Sequence, residues 1–376
     1  MNRFIKKAIK SLLTLLPTRR VILMESLPDF SDNTKAVYDE FIRRGVNKKY
    51  KIIWIINSSF KMENPDKNVK FLCRDLKRIA YYYWFAKCFI SCNIFLVQRR
   101  KDQFSIYLSH GTALKSIRDY YNVPDEIASC LVAGEGVKEL MSYEFRYDIE
   151  KTVALGFPRN DVLCIGAKLP KGLFDKEYDK VIVWYPTYRQ HKRGWLLSAS
   201  QDSLPVINDT QKAKVLNDYA VKNNVLIVLK PHFVQNVSYV KDLGLSNIKF
   251  IDDSFFVKNK ISSYEFVGGC DALITDYSSI YYDYTLCDKP IALIWEDIEE
   301  YKQKPGLIEN YEYYAQGAEK VYTIEELVAF VDRVAKGEDV LKNERRVIRD
   351  LSNFSNDGQS AKRVVDYILE KINYKV

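Results

Sequence analysis

At 376 residues, 47% hydrophobic and 28% charged, the chain has the composition of a globular protein with room for two domains, which excludes a disordered, collagenous or disulfide-stapled polypeptide. Lys and Arg (57) exceed Asp and Glu (49) to give +8, but Arg3, Lys6, Lys7, Lys10, Arg19 and Arg20 account for six of that excess, with no acid among the first twenty residues. The body is nearly neutral, which excludes a generally basic nucleic-acid binder.

In the leader, Phe4, Ile5, Ala8, Ile9, Leu12, Leu13 and Leu16 recur at helical spacing opposite Arg3, Lys6, Lys7 and Lys10, and Pro17 ends the stretch. It is too short and interrupted to span a bilayer, and no small-x-small site marks it as a cleaved signal. Residues 1–20 therefore read as a basic amphipathic helix lying on an anionic membrane surface. An ordinary first helix packed on the body is the alternative.

Beyond the leader, Val21–Glu25, Lys51–Ile56 and Cys88–Ile94 read as buried strands, with helices over Lys35–Arg44 and Leu76–Lys87. The aromatic residues 81–85 beside Lys77 and Arg78 read as core, a membrane-interface site being the alternative. Ser105–Leu108 is a short strand followed by His110-Gly-Thr112, and Thr152–Leu155 precedes Gly156-Phe-Pro-Arg-Asn-Asp161. Residues 164–178, with Gly166, Pro170 and Gly172, read as a linker. The pattern then restarts with strands at Lys180–Tyr185, Val225–Leu229, Asn247–Ile251, Ala272–Thr275 and Pro290–Ile294. Helices are expected at Gln211–Lys222, from Ser278 to Leu286, at Ile324–Ala335 and at Ser360–Lys371. Strands alternating with helices predict an α/β protein: two Rossmann-like domains, 21–165 and 166–376, facing a cleft, the last helix a candidate to pack back on the first domain.

Seven cysteines without a CxxC pair read as reduced, mostly buried thiols, and three histidines are too few for a structural zinc site. The polar clusters fall just past predicted strand ends, the edge where open α/β sheets bind ligands. At His110-Gly111-Thr112 the glycine lets the backbone turn sharply, and the histidine suits a general base or, equally, a hydrogen-bonded turn. Pro186-Thr187-Tyr188-Arg189 offers a hydroxyl and a fixed cation for phosphate oxygens, although alone it is no better than a surface loop. Lys230-Pro231-His232 places two potential cations at a strand end. Ser278 and Ser279 open a helix whose free N–H groups favour an anion, with a plain N-cap as the bland reading. Together these groups describe a diphosphate site without a metal; no Walker lysine, DxD pair or GxGxxG stands in a suitable context.

The ordered set His110-Gly-Thr-Ala-Leu-Lys115, Gly156-Phe-Pro-Arg-Asn-Asp-Val-Leu163, Tyr185-Pro-Thr-Tyr-Arg189, Lys230-Pro-His232 and Thr275-Asp-Tyr-Ser-Ser-Ile-Tyr-Tyr-Asp283 resembles the CDP-glycerol glycerophosphotransferases, the teichoic acid primases and polymerases and related capsule enzymes of Gram-positive bacteria. The likeness runs from about Val21 to Val331. It implies a GT-B-like fold, peripheral attachment at the cytoplasmic membrane face, and transfer of glycerol phosphate, or next ribitol phosphate, from its CDP derivative to a prenyl-diphosphate-linked saccharide or growing polymer. It implies His110 and His232 as catalytic residues. It places the donor on Gly111, Thr112, Ala113, Leu114, Arg159, Pro186, Thr187, Arg189, Lys230, Pro231, Ser278, Ser279 and Asp283, the last orienting His232 or holding a donor hydroxyl. Two departures are Phe233, where Pro is usual, and Lys304-Pro-Gly306, where an Arg-Gly pair is common; the second bears on substrate choice. No cofactor is expected, no ligand cluster points to a divalent ion, and oligomeric state is open. A GT-B glycosyltransferase using a nucleotide sugar and a membrane-docked nucleotide-binding scaffold are the competing readings.

Overall fold

A computed structural model describes residues 16–57, 66–187, 190–191, 195–196, 204–231 and 237–374. The chain divides into two compact units. The first takes residues through His110, Tyr121–Arg159 and residues from Gln359 on; the second takes Gly111–Tyr120 and Asn160–Gly358.

In the first unit, β1 (Arg19–Glu25), β2 (Lys51–Ile56), β3 (Val69–Cys73), β4 (Ala86–Ser91), β5 (Phe104–Tyr107), β6 (Ser129–Val132) and β7 (Thr152–Ala154) form one sheet in the order β3-β2-β1-β4-β5-β6-β7, every pair parallel. Both faces are covered, which is why β1 and β2 read as unbroken apolar runs. Successive side chains nevertheless go to opposite faces. Ile22 and Met24 join Val37, Phe41, Val364, Val365 and Ile368 in one buried cluster, while Val21 and Leu23 join Phe89, Ile79, Tyr82 and Tyr83 in another. The helix Ser360–Lys371 thus completes the core of the first unit by packing on the helix Asp32–Arg43.

The second unit repeats the plan. After β8 (Lys180–Trp184), the pair β9 (Gln190–His191) and β10 (Trp195–Leu196) is antiparallel. Then β11 (Val225–Leu229), β12 (Ile248–Phe250), β13 (Ala272–Thr275), β14 (Ile291–Ile294) and β15 (Glu319–Val321) form with β8 a parallel sheet in the order β12-β11-β8-β13-β14-β15. In each sheet the strand order reverses once, between β1 and β4 and between β8 and β13. Such reversals open a crevice at the strands' C-terminal ends.

Several boundaries differ from the sequence reading. The helix expected to Lys87 ends at Phe85, because Ala86 already pairs with Arg19 of β1. The strand expected to Ile94 stops at Ser91, because the amides of Asn93 and Ile94 turn to the Glu25 carboxyl instead of a neighbouring strand. The helix expected from Ser278 to Leu286 is a five-residue α-helix, Ile280–Tyr284, continued by a 3-10 turn. The cysteines are free, with Cys73 exposed rather than buried. Arg19 and Arg20 belong to β1, while Arg3, Lys6, Lys7 and Lys10 lie outside the described residues. Among the described residues no helix is long and apolar enough to cross a membrane.

Candidate active site

His110 sits three residues past β5 on a tight turn, flanked by Ser109 at φ +50° and Gly111 at φ +128°. That Gly111 value is costly for any residue with a Cβ. The turn is fixed from below. Asn33 Nδ2 donates to the carbonyls of Leu108 (3.3 Å) and Ser109 (3.2 Å), and Ser109 Oγ donates to the Leu131 carbonyl. Asn33 follows Asp32, which opens the helix after β1 at φ +60°. From there Asp32 Oδ2 lies 3.0 Å from His110 Nδ1. An ionised carboxylate can only accept, so Nδ1 carries the proton and Nε2 is left as the basic nitrogen.

Arg159 locks the pair. Its guanidinium donates to Asp32 Oδ1 and to the His110 carbonyl, each at 2.7 Å, while its amide donates to Asn33 Oδ1 at 3.2 Å. Burial alone would raise the Asp32 carboxyl; the Arg159 charge and the His110 hydrogen bond outweigh it and hold the group well below the usual carboxylate range. The side chains of Asp32 and Arg159 are 14% and 10% exposed against 39% for His110, so the imidazole is the open member of the trio. Cys92 adds a third donor atom within 4.8 Å of those of Asp32 and His110. The set fits a metal poorly: both Asp32 oxygens are engaged, and burial, then the nearby Asp32 carboxylate, push the thiol up to about 12.

In the second unit the residues past β8 and β13 meet at the strand-order reversal. Asp276, buried, accepts from the Thr187 amide (3.1 and 2.8 Å), the Thr187 hydroxyl and the Tyr277 amide. Tyr277 stacks on Tyr301 at 3.6 Å between ring centroids and donates to Asp297. Lys230 pairs with Asp253 at 3.1 Å, its ammonium 5.8 Å from the Tyr185 ring centroid. Pro186, Pro231, Ser278 and Ser279 are partly buried; Ser279 starts the short helix without a side-chain cap. Asp283 is buried and accepts from Asn160 Nδ2 and Tyr264 Oη at 2.7 Å each, so it ties three segments of this unit together. Thr112, Ala113 and Leu114 are buried, and Leu114–Ser116 pairs with Gly306–Ile308, the segment flagged as departing from the usual sequence. His232 and Arg189 lie outside the described residues.

Sequence reasoning missed Asp32 and Asn33, and placed Asp276 just past a strand end without giving it a role. The rule that located His110 and Lys230, polar residues just past a strand, does not reach Asp32 and Asn33, because β1 ends at Glu25 and Asp32 only opens the following helix.

Two parallel α/β sheets, each with a polar cluster at its strand-order reversal, define a GT-B-like protein. The chain belongs to the CDP-glycerol:poly(glycerophosphate) glycerophosphotransferase family, whose profile matches residues 8–370, and its enzyme class is the family's, a glycerophosphotransferase. It is 26% identical to the teichoic acid ribitol-phosphate polymerase TarK of Staphylococcus aureus, over 93% of this chain and 72% of that one. It is 24% identical to the poly(ribitol-phosphate) polymerase of Bacillus spizizenii, over 98% of this chain but only 60% of the relative's length. The teichoic acid glycerol-phosphate primase of Bacillus subtilis is 21% identical over 94% of this chain and 92% of its own. The fold matches that of the wall teichoic acid polymerase TagF with a TM-score of 0.74 at 21% identity, covering 99% of this chain and 96% of that one.

Proposed function

We propose that the protein moves glycerol phosphate or ribitol phosphate from its CDP derivative to a hydroxyl of a teichoic acid chain or a prenyl-diphosphate-linked saccharide, with His110 as general base. The observation that carries this reading is the Asp32–His110–Arg159 constellation. An alcohol is a weak nucleophile, and a base held in one tautomer at a turn is what its activation needs. In this reading the acceptor oxygen attacks the β-phosphorus and His110 Nε2 takes the proton. The bond from that phosphorus to the bridging oxygen breaks, CMP leaves, and a phosphodiester remains. Asp32 stabilises the imidazolium that forms, and Arg159 keeps Asp32 ionised. Negative charge spread over the phosphoryl oxygens calls for positioned cations and donors. Lys230 and His232, with the Thr187 and Ser278–Ser279 segments, supply them in this assignment. The basic leader, through Arg3, Lys6, Lys7 and Lys10, holds the enzyme on the anionic cytoplasmic face of the membrane, where a prenyl-linked acceptor resides.

Relatives named for ribitol phosphate and for glycerol phosphate stand at similar identity, so donor choice is left to experiment. The purified chain is offered CDP-glycerol and CDP-ribitol separately with a prenyl-diphosphate disaccharide. CMP release with product mass raised by the matching alditol phosphate is the expected result. Wild-type rates from His110→Ala would remove the base assignment. Release of a nucleoside diphosphate from a nucleotide sugar, with no CMP from either donor, would replace the reading with sugar transfer.

A further inference from the structure

The first unit holds a buried carboxyl that this mechanism does not use. Glu25 ends β1 at the strand-order reversal, opposite Ser91 of β4, and is fully buried. Its Oε2 accepts from the amides of Asn93 (3.3 Å) and Ile94 (3.1 Å), and its Oε1 lies 3.4 Å from a guanidinium nitrogen of Arg74. Its main-chain oxygen accepts from Thr34 Oγ1 (3.0 Å) and from the Cys92 amide (3.4 Å). One residue therefore fastens the segments after β3 and β4 and the start of the helix that carries Asp32 and Asn33.

The loop it holds is the one that brings Cys92 against Asp32 and His110. Packing alone gives no reason for a carboxyl here. A carboxyl in the middle of a covered parallel sheet costs stability, and a well-packed neutral side chain of similar volume is commonly as stable or more so. Burial does hold this carboxyl above its ordinary value, partly offset by the Ile94 and Asn93 amides and by Arg74.

We infer that Glu25 is a positioning residue for the Asp32–His110 pair: its carboxylate pins the loop at Asn93 and Ile94, next to the Cys92 that lies against Asp32 and His110, so that the imidazole is held at one angle to the reacting hydroxyl. The inference rests on the reading of His110 as the base. Misplacement of a catalytic group by about 1 Å can cost on the order of 10²-fold in rate.

The test compares Glu25→Met, Glu25→Asp and Arg74→Ala with the wild-type chain in CMP release, thermal melting and amide hydrogen exchange. Glu25→Met, which has no oxygen to accept from the two amides, is expected to lower kcat by about 10- to 100-fold, with the donor KM little changed and the melting temperature equal or higher. Glu25→Asp, which keeps the charge, recovers part of the rate, and Arg74→Ala falls between. A purely structural residue would instead lose rate in step with melting temperature, and that result, or a wild-type kcat in a folded Glu25→Met, overturns the inference. Exchange at Asn93 and Ile94 reports on the same contact without catalysis. Protection lost in Glu25→Met is expected, and protection retained overturns the inference. A wild-type chain that releases no CMP would count against the proposed function instead, leaving the exchange data to decide the role of Glu25.

Discussion

Asp32 does two things that titration separates. As the partner of His110, its conversion to Asn leaves an amide that no longer favours the Nδ1–H tautomer or the imidazolium, and kcat should drop about 10²- to 10⁴-fold, the range for losing general-base assistance; steady-state CMP release measures it. As a group whose acidity is strengthened by folding, it also couples stability to pH. The unfolded carboxyl takes up its proton near pH 4, whereas the folded one resists until lower pH. Its stabilising contribution is therefore complete above about pH 4 and is lost as pH falls toward the depressed folded value. Urea melts from pH 5 downward should show a shallower acid loss for Asp32→Asn than for wild type. Lys320 works in the opposite range. Burial pulls its ammonium down to about 8, while the amine caps the carbonyls of Ala315 and Ala318. Since the folded state gives up this proton before the unfolded one, stability attributable to Lys320 rises between about pH 8 and about pH 10. Lys320→Met should flatten the melting temperature across that interval.

At the level of elements, the sequence was most legible where one strong local rule acted alone. The helix Ile324–Lys336 shows it: Thr323 and Glu326 form a reciprocal capping box and Gly337 closes the end at φ +76°. Thr323→Ala should cost about 0.5–2 kcal/mol in chemical denaturation. The core strands β1, β2, β8 and β11 were equally plain as continuous apolar runs. The rest depended on partners distant in sequence. β3 (Val-Lys-Phe-Leu-Cys) has only one fully buried residue and acquires its identity from pairing with β2. The end of β4 is set by Glu25, more than sixty residues earlier. The site divides in the same way. His110 and Lys230 were found from their place after a strand, whereas Asp32 becomes meaningful only when β1 and β5 bring their ends together. Gly156 belongs to this non-local class. It has φ +81°, and a Cβ there would run into Ser360 on the helix Ser360–Lys371. Gly156→Ala should destabilise the first unit by about 1–3 kcal/mol, read from the denaturation midpoint.

For the molecule as a whole, the charge distribution makes a prediction of its own. With six of eight net positive charges in the first twenty residues, binding to anionic vesicles should depend on that segment. Replacing Arg3, Lys6, Lys7 and Lys10 by Gln should weaken binding by roughly 10³-fold, at about 1 kcal/mol for each charge near the surface. Added salt should weaken the wild type in the same direction, and sedimentation with vesicles of graded anionic lipid content measures both. The path of the chain carries a further consequence, for how the protein is made. The first unit has its sheet complete by Ala154, yet Val364, Val365 and Ile368 of its core come after the entire second unit has been traversed. At about 5–20 residues per second of translation, the nascent sheet waits on the order of ten seconds or more with one apolar face covered only in part, by the helix Asp32–Arg43. During that interval it is a client for chaperones, and a ribosome stalled anywhere between the two segments leaves a product that proteases should recognise.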